Sequence, residues 1–491
     1  MEIILIILYA FFLLFIFAYS IMQLSLALAY SKQKKAVKKT SCSMEGKEWP
    51  RVTIQLPVYN ELYVVERLLA SIAEMDYDKS KLDIQLLDDS TDESFEVAAV
   101  KVKELQALGF DISHIQRPER KGYKAGALAY GMQRIKGEFI AIFDADFVPD
   151  PLFLIKTIPH FYASDDIGVV QTRWQHLNKN YSFLTKLQAF ALDAHFTVEQ
   201  VGRNALGHFI NFNGTAGVWR KTCIEDAGGW QSDTITEDLD LSYRAQMKGW
   251  KFTYLEDVLS PAELPAEMNS LKNQQFRWTK GAAECAVKNL PKVMRTKQLD
   301  WKTKVHAAFH LLNSFVFICI FCTSMLSVPV LLIKHNFEGY DSIFKLASVF
   351  VSSFLILSYF YWLSMSHSEK GGIKSLLKFI VRFPLFLSVS MGLSLHNSIA
   401  VIEGYIGRKT PFVRTPKFAL EEKSGTWANK KYRAFKVNPL TIIEVFITLY
   451  FLAAIGYAIY LGDYGLLPFH VMLTVGFGVV SFYSVKHTQM S

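Results

Sequence analysis

The sequence predicts an α/β domain, with a Rossmann-like and mostly parallel sheet, attached to an α-helical transmembrane region. Two observations carry this prediction. Short apolar runs alternate with amphipathic stretches from about residue 50 to residue 300, which is the pattern of parallel α/β sheets. Long apolar segments lie outside this region, and they explain how a chain with 20% charged residues also has 51% hydrophobic residues.

The alternating elements can be placed in order. We expect strands at 51–57, 83–87, 112–116 and 138–143, and helices at 63–73, 92–108, 124–135 and 237–248. Parallel sheets bind their ligands beyond the carboxyl ends of the strands. The turn 57–61 and the acidic residues at 88–89 and 144–146 all fall at such ends. The sequence therefore predicts a polar site at this edge of the sheet.

The first apolar segment, residues 3–29, carries no charge. It is long enough to span a bilayer and longer than the apolar region of a signal peptide, so we expect a retained anchor. Further spans are predicted at 308–333, 343–365, 438–461 and 464–484. The chain then divides into an N-terminal transmembrane helix at 1–31, a cytoplasmic domain at 48–305 and a membrane region at 306–491.

Basic residues predict the orientation of this multi-pass membrane protein. Lys and Arg are frequent after the first span and in the loop 404–437, so both should be cytoplasmic. The apolar segment 375–402 would place that loop outside if it crossed the bilayer once. We therefore expect 375–402 to be an interfacial or re-entrant helix, with a sixth crossing as the alternative. The net charge of +8 comes mostly from these flanks, which favours contact with lipid over nucleic-acid binding.

Two acidic motifs end predicted strands. Asp144 and Asp146 follow the run 139–143, and such a pair can bind a divalent cation, Mg²⁺ or Mn²⁺, that neutralises a diphosphate. Two solvated turn aspartates are the alternative. Asp88 and Asp89 follow the run 83–87, where a turn or helix cap is the alternative to a binding role.

Two further motifs stand on predicted helices. Asp238, within Thr236-Glu237-Asp238, is a candidate general base, although carboxylates at a helix start are also favoured by the helix dipole. Gln274, Arg277 and Trp278 share one helix face. Trp can stack on a sugar ring and Arg can pair with a diphosphate, while simple packing is the alternative.

In this order the four motifs resemble the family-2 inverting glycosyltransferases, in particular the processive cellulose synthase-like group with its mannan and glucan synthase-like members. The resemblance covers residues 50 to 290 closely and the membrane region more loosely. It implies a GT-A-type fold, a nucleotide-sugar donor and a polysaccharide or glycan acceptor.

The resemblance also implies roles for individual residues. The catalytic base would be Asp238, and the metal ligands would be Asp144 and Asp146. The donor would be bound by Pro57, Tyr59, Glu61, Asp89, Lys124, Asp144, Arg277, Thr415 and Lys417. The acceptor would be bound by Asn213, Gly214, Thr215, Gln274 and Trp278.

Two segments depart from the pattern of that group. Asn213 and Thr215 stand where the cellulose type has Cys and Ser, which argues against a cellulose product. The segment 412–417 resembles a loop that covers the nucleotide, but Arg414 replaces an apolar residue. A basic linker is the alternative for this segment.

The expected activity is transfer of a hexose from a UDP- or GDP-sugar, with inversion, to a growing β-linked polysaccharide, coupled to export. One alternative is transfer of a single sugar to a lipid such as ceramide or polyprenyl phosphate. The other is a non-catalytic membrane assembly subunit, which the intact acidic motifs disfavour. The cell membrane is expected in a bacterium, and a Golgi-type membrane in a plant.

Overall fold

The structure is a computed structural model. It describes residues 2–36, 44–336, 351–369, 371–411, 413–422, 425–428, 430–432 and 438–489. Most of the loop 335–342, which is poor in Lys and Arg and is therefore expected on the external side, lies outside the described residues. The same holds for the start of the predicted span 343–365, Phe412 and parts of the loop 404–437.

The soluble domain contains a seven-stranded sheet with the strand order β3-β2-β1-β4-β6-β5-β7. The strands are β1 Val52–Val58, β2 Leu82–Asp88, β3 Ile112–Ile115, β4 Phe139–Ile142, β5 Ile167–His176, β6 Gly217–Arg220 and β7 Lys251–Ala262. β6 runs antiparallel to β4 and β5, and the other neighbours pair in parallel. The mostly parallel sheet is thus confirmed, and β1 to β4 lie within two residues of the predicted strands.

Helices cover both faces of the sheet and extend into the membrane region. They are α1 Glu2–Ala36, α2 Val65–Ala73, α3 Ser94–Ala107, α4 Tyr123–Met132, α5 Phe153–Thr157, α6 Phe183–Ala194, α7 Gln200–Ala205, α8 Lys221–Asp226, α9 Glu237–Met247, α10 Met268–Arg295, α11 Trp301–Leu311, α12 Phe315–Asn336, α13 Val351–Ser368, α14 Ile373–Gly392, α15 Ser394–Tyr405, α16 Leu440–Leu461 and α17 Leu467–Gln489. A π-helical turn, His195–Glu199, joins α6 to α7.

Successive side chains of a strand point to opposite faces of the sheet, and they form one apolar layer on each face. Ile54 on β1 packs toward α2 and α3, together with Leu68 and Val102. On the opposite face, Ile140 of β4 packs with Leu241 of α9. Each fully buried side chain of this size contributes roughly 2–3 kcal/mol of transfer free energy. These two layers hold the strand ends rigidly at the edge where the site lies.

Five described helices are long and apolar enough to cross a membrane: α1 over Glu2–Lys35, then α12, α14, α16 and α17. The predicted span 308–333 needs correction, because it consists of two helices that break at residues 312–314. α11 packs on the soluble domain, where Ala307 and Leu311 contact the layer around Tyr243, and only α12 is a candidate span. The predicted helix 375–402 is also two helices, α14 and α15, which break at Leu393.

Candidate active site

One pocket opens at the carboxyl ends of β1, β2 and β4. It is closed on the other sides by α9, α10 and the segment 414–417. The predicted site residues that line it are Pro57, Tyr59, Glu61, Asp89, Lys124, Asp144, Asp146, Asn213, Gly214, Asp238, Gln274, Arg277, Trp278, Thr415 and Lys417. The structure thus brings together residues that lie more than 350 positions apart in the sequence.

Thr215 is the predicted site residue that does not line the pocket. Its side chain is fully buried, and its hydroxyl accepts a hydrogen bond from the backbone N–H of Asp144 at 2.8 Å. The prediction of direct acceptor contact is therefore wrong for Thr215. The residue instead fixes the backbone that carries the Asp144 carboxylate.

The β2 end places two aspartates in different roles. Asp88 is buried, and its carboxylate lies 2.8 Å from His114 Nε2. Asp89 lines the pocket, and Arg117 Nε donates to Asp89 Oδ1 at 2.9 Å. Arg120 stacks its guanidinium 3.4 Å from the ring centre of Tyr59. This side of the pocket therefore presents stacked cationic and aromatic surfaces beside a carboxylate.

Lys124 links the β4 end to the loop that follows α7. Its ammonium donates to Asp144 Oδ1 at 2.5 Å and to the carbonyl oxygen of Gly214 at 2.8 Å. Burial would lower the pKa of Lys124, but the carboxylates of Asp144, Glu237 and Asp238 outweigh it and raise the pKa. Lys124 therefore remains a cation at the centre of the pocket.

The segment 414–417 places cationic side chains next to the carboxylates at the edge of the sheet. Lys417 Nζ lies 2.8 Å from Asp146 Oδ2 and donates to the carbonyl oxygen of Glu263 at 2.5 Å. The Glu263 carboxylate accepts the backbone N–H groups of Phe418 at 2.8 Å and Leu420 at 3.2 Å. Glu263 thus ties this segment to the end of β7, a role that the sequence analysis missed.

Two arginines stand on the same side of the pocket. Arg414 forms an ion pair with Glu61 at 2.9 Å, and Arg277 donates to the Thr415 hydroxyl at 2.7 Å. Burial raises the pKa of Glu61 to about 7, although Arg414 opposes the shift. Burial also lowers the pKa of Arg277 to about 10. Arg277 therefore remains charged at neutral pH.

Glu237 and Asp238 begin α9 and face the loop at Gly214. A Cβ atom added at Gly214, whose φ is +79°, would lie 3.0 Å from Asp238 Oδ2. Burial raises the pKa of Asp238 to about 6, while Lys124 opposes the shift. Burial and the neighbouring Asp238 raise the pKa of Glu237 to about 7. Asp238 is thus a carboxylate that can accept a proton near neutral pH.

The pocket has more lining residues than the sequence analysis predicted. In addition to Asn213, Gln274 and Trp278, which were predicted to bind the acceptor, Trp174 and His176 line it. Trp174 and His176 lie at the end of β5, a strand that the sequence analysis did not place. A Trp and a His at the end of a predicted strand would have indicated these two residues as site candidates.

The carboxylates fit a divalent cation that is shared with a diphosphate. Asp144 and Asp146 end the same strand, but no cluster of three His, Cys, Asp or Glu side chains with metal-site geometry occurs among the described residues. Mg²⁺ and Mn²⁺ commonly take one or two protein carboxylates and complete their shell with substrate phosphates and water. Two carboxylates beside the phosphate-side cations satisfy that requirement.

Comparisons with known proteins agree with this geometry. A family model described as glycosyltransferase like family 2 matches residues 50–281. Glucomannan 4-beta-mannosyltransferase 9 of Arabidopsis thaliana is 31% identical over 431 residues, which cover 84% of this chain and 76% of that relative. The chain belongs to glycosyltransferase family 2. This confirms the resemblance on which the predicted residue roles were based.

Two other known proteins resemble the chain, one over a shorter stretch and one at lower sequence identity. Glucomannan 4-beta-mannosyltransferase 1 of Oryza sativa subsp. japonica is 39% identical over 294 residues, covering 57% of this chain and 56% of that relative. The chain spans about half the length of the rice relatives that it matches. A mannosyltransferase from Pyrobaculum calidifontis, solved with GDP-Man and Mn²⁺, is 16% identical with a TM-score of 0.56, covering 82% of this chain and 100% of that one. That likeness confirms the GT-A-type fold.

Proposed function

We propose that this family-2 protein transfers a hexose from a nucleotide sugar, with inversion, to the end of a growing β-linked polysaccharide at a membrane. Mannose from GDP-mannose is the first donor to test, because the relatives are mannosyltransferases and the solved neighbour holds GDP-Man. Glucose from UDP-glucose is the second. A mixed mannose and glucose product would follow if both are used.

One observation carries the proposal. Asp238, a half-buried carboxylate with a raised pKa, shares a pocket with the cation-paired carboxylates Asp144 and Asp146 and with Trp278 on the acceptor side. A base, a diphosphate site and a sugar-stacking residue are the three parts that inverting transfer needs.

In the proposed reaction, different residues take the proton, stabilise the leaving diphosphate and position the acceptor sugar. The acceptor hydroxyl attacks the anomeric carbon, Asp238 takes the hydroxyl proton, and the bond from that carbon to the diphosphate oxygen breaks. Lys124, Arg277 and Lys417 stabilise the charge that develops on the leaving diphosphate. A divalent cation, held by Asp144 and Asp146, would neutralise the same charge when bound. Trp278 keeps the acceptor sugar in line by stacking.

We infer an interfacial placement for α14 from its contacts with the soluble domain. The helix also packs closely on the candidate span α17, where a Cβ added at Gly392 would clash with the carbonyl oxygen of Gly476, and its length and composition would also allow a crossing. Phe379 and Phe386 of α14 both contact Phe190, and Val389 packs with Leu184. The helix therefore follows α6 of the soluble domain over three turns. Its opposite face exposes apolar side chains such as Leu377, as in helices that lie in the membrane surface.

If α14 lies in the membrane surface, the segment 414–417 is on the same side of the membrane as the soluble domain. Cysteines introduced singly at Thr426 and Gly465, in a background without the native cysteines, would test it with an impermeant thiol reagent on intact cells. We expect labelling at 465 and none at 426. Labelling at 426 and none at 465 would mean that α14 crosses the membrane, since α16 lies between the two positions, and it would contradict the arrangement of this side of the pocket.

The activity itself is tested with the purified full chain in lipid nanodiscs. Radiolabelled GDP-mannose, UDP-glucose and other nucleotide sugars are supplied with Mg²⁺ or Mn²⁺ and β-linked oligosaccharides, and products are sized and digested with linkage-specific hydrolases. We expect a long β-linked product with at least one donor. Transfer of one sugar to a lipid would replace the proposal with the single-transfer alternative. No transfer with any donor would contradict both.

A further inference from the structure

The helix beneath the acceptor side contains an irregular turn. The π-helical turn His195–Glu199 separates α6 from α7. Such a turn changes which side chains of a helix face a neighbouring element, and π-turns are frequent at functional sites. Here His195 and Gln200 both reach the loop 211–214.

Three nitrogen atoms converge on the side-chain oxygen of Asn213. Asn211 Nδ2 donates to Asn213 Oδ1 at 2.8 Å, and Gln200 Nε2 donates to it at 3.3 Å. His195 Nε2 lies 3.4 Å from the same oxygen. An amide oxygen has two lone pairs, so these contacts occupy it fully and fix which way the amide faces.

The amide nitrogen of Asn213 faces the other way. Asn213 Nδ2 is buried and has no hydrogen-bond partner within the described ranges, and Asn213 lines the pocket. A buried donor of this kind is costly unless a ligand or water satisfies it. The following residue, Gly214, contacts both sides of the reaction, because a Cβ there would lie 3.0 Å from Asp238 Oδ2 and 3.5 Å from Lys124 Nζ.

Ion pairs of Glu199 with His195 and with Arg203 stabilise the π-helical turn. Glu199 Oε2 lies 3.0 Å from His195 Nδ1, and Arg203 Nη2 donates to Glu199 Oε1 at 2.9 Å. Burial would raise the pKa of the Glu199 carboxyl, but His195 and Arg203 hold it well below its usual range. The ionised carboxylate therefore fixes the orientation of the His195 ring. The ring donates to Glu199 and to Asn213 at the same time only in the form that carries a hydrogen on each nitrogen.

We propose that His195 and Gln200 are positioning residues that hold the Asn213 oxygen, so that the Asn213 NH₂ group binds a hydroxyl of the acceptor sugar beside Asp238. This inference rests on the proposed function. It predicts that the π-turn controls acceptor binding without touching the donor.

The test measures initial rates of the full chain in nanodiscs, with the donor that the wild type uses and a series of β-linked oligosaccharide concentrations. Gln200→Leu is the first variant, because it keeps a side chain of similar size and removes the Nε2 donor, which also reaches Asn211 Oδ1 at 3.2 Å. Thermal unfolding of the variant checks that the fold is kept. We expect the acceptor KM to rise about 5- to 10-fold, as for one lost hydrogen bond. The donor KM and the donor hydrolysis without acceptor should stay unchanged.

A double-mutant cycle separates positioning from a general structural effect. Asn213→Ala should raise the acceptor KM by itself, and adding Gln200→Leu should then raise it no further. His195→Phe should act like Gln200→Leu, whereas His195→Gln, which keeps a donor, should restore most of the affinity. His208→Phe is the matched control, since His208 contacts Thr303 and lies outside the pocket lining.

Each outcome decides one of the two proposals. An unchanged acceptor KM in Gln200→Leu, an equal rise in the donor KM, or additive effects with Asn213→Ala would overturn the positioning role while leaving the proposed function intact. A wild type that transfers no sugar to any glycan would overturn the proposed function, and the positioning role with it.

Discussion

The carboxylates on the two sides of the pocket differ in whether they have cationic partners. The donor side carries Glu61, Asp89, Asp144 and Asp146, and the acceptor side carries Glu237 and Asp238, as named after the proposed function. On the donor side each predicted carboxylate has a cationic partner: Glu61 with Arg414, Asp89 with Arg117, Asp144 with Lys124, and Asp146 with Lys417. On the acceptor side, Glu237 and Asp238 have no salt bridge within 4.0 Å among the described residues. In the proposed reaction, the cations of the donor side would bind the negative phosphates, and a carboxylate of the acceptor side would accept the proton.

The largest expected effect comes from removing the unpaired carboxylate. Asp238→Asn should lower the transfer rate about 10²- to 10⁴-fold, since only the base is lost. The nucleotide Kd should stay unchanged, and the Tm should not fall, because burial disfavours the charged form of Asp238. Rate measurements, nucleotide titration and thermal unfolding check these three points. Weakened nucleotide binding with normal transfer would contradict the assignment.

The next effect concerns the paired carboxylates. Asp146→Ala should lower activity at least about 100-fold, because a bound cation supplies several kcal/mol of charge stabilisation at a diphosphate. Treating the wild type with EDTA should have the same result, and added Mn²⁺ should reverse it. Asp150→Ala is the control, since Asp150 lies in the following turn outside the pocket lining. A wild type that stays fully active in EDTA would show that the metal prediction is wrong.

A smaller effect is expected from the acceptor wall. Trp278→Ala should lower the elongation rate about 10-fold, as expected for a lost aromatic contact, and should shorten the product. The nucleotide Kd should change little. Trp301→Ala is the matched control, because Trp301 is 72% exposed and lies outside the pocket lining. Unchanged product length and rate would favour simple packing for Trp278.

The smallest effect is expected from the ion pair that is unusual for the cellulose synthase-like pattern. Arg414→Leu restores an apolar residue and removes the partner of Glu61. We expect the donor KM to rise about 5-fold and the acceptor KM to stay unchanged, because one hydrogen-bonded pair on the donor side is lost. Arg408→Leu, in the same loop but exposed, serves as control. A rise in the acceptor KM instead would remove the distinction between the two sides.

Much of the donor side could be predicted from the sequence. Asp144 and Asp146 follow the buried strand β4, and Asp89 follows β2, so a local pattern placed them at one edge of the sheet. The cationic partners could not be found this way. Lys417 meets Asp146 only because residues 271 positions apart come together in the fold.

The acceptor side was less predictable for a different physical reason. The π-helical turn His195–Glu199 cannot be recognised from its composition, because the residues HFTVE would also suit an ordinary α-helix. Thr215 was assigned to the acceptor from the family resemblance alone, and the local sequence could not show that its side chain is buried beneath Asp144. The apolar pattern likewise could not show the breaks at 312–314 and at Leu393, because no Pro or charged residue marks them.

The most direct test of the contrast between the two sides is the pH dependence of kcat/KM. Burial raises the pKa of Asp238 from the ordinary value of 3.8 for an aspartate to about 6, and the base works only when deprotonated. The account predicts full activity above this value and a tenfold loss for each pH unit below it. A profile that stays flat down to about pH 4.5, as expected for an unshifted aspartate, would contradict the account.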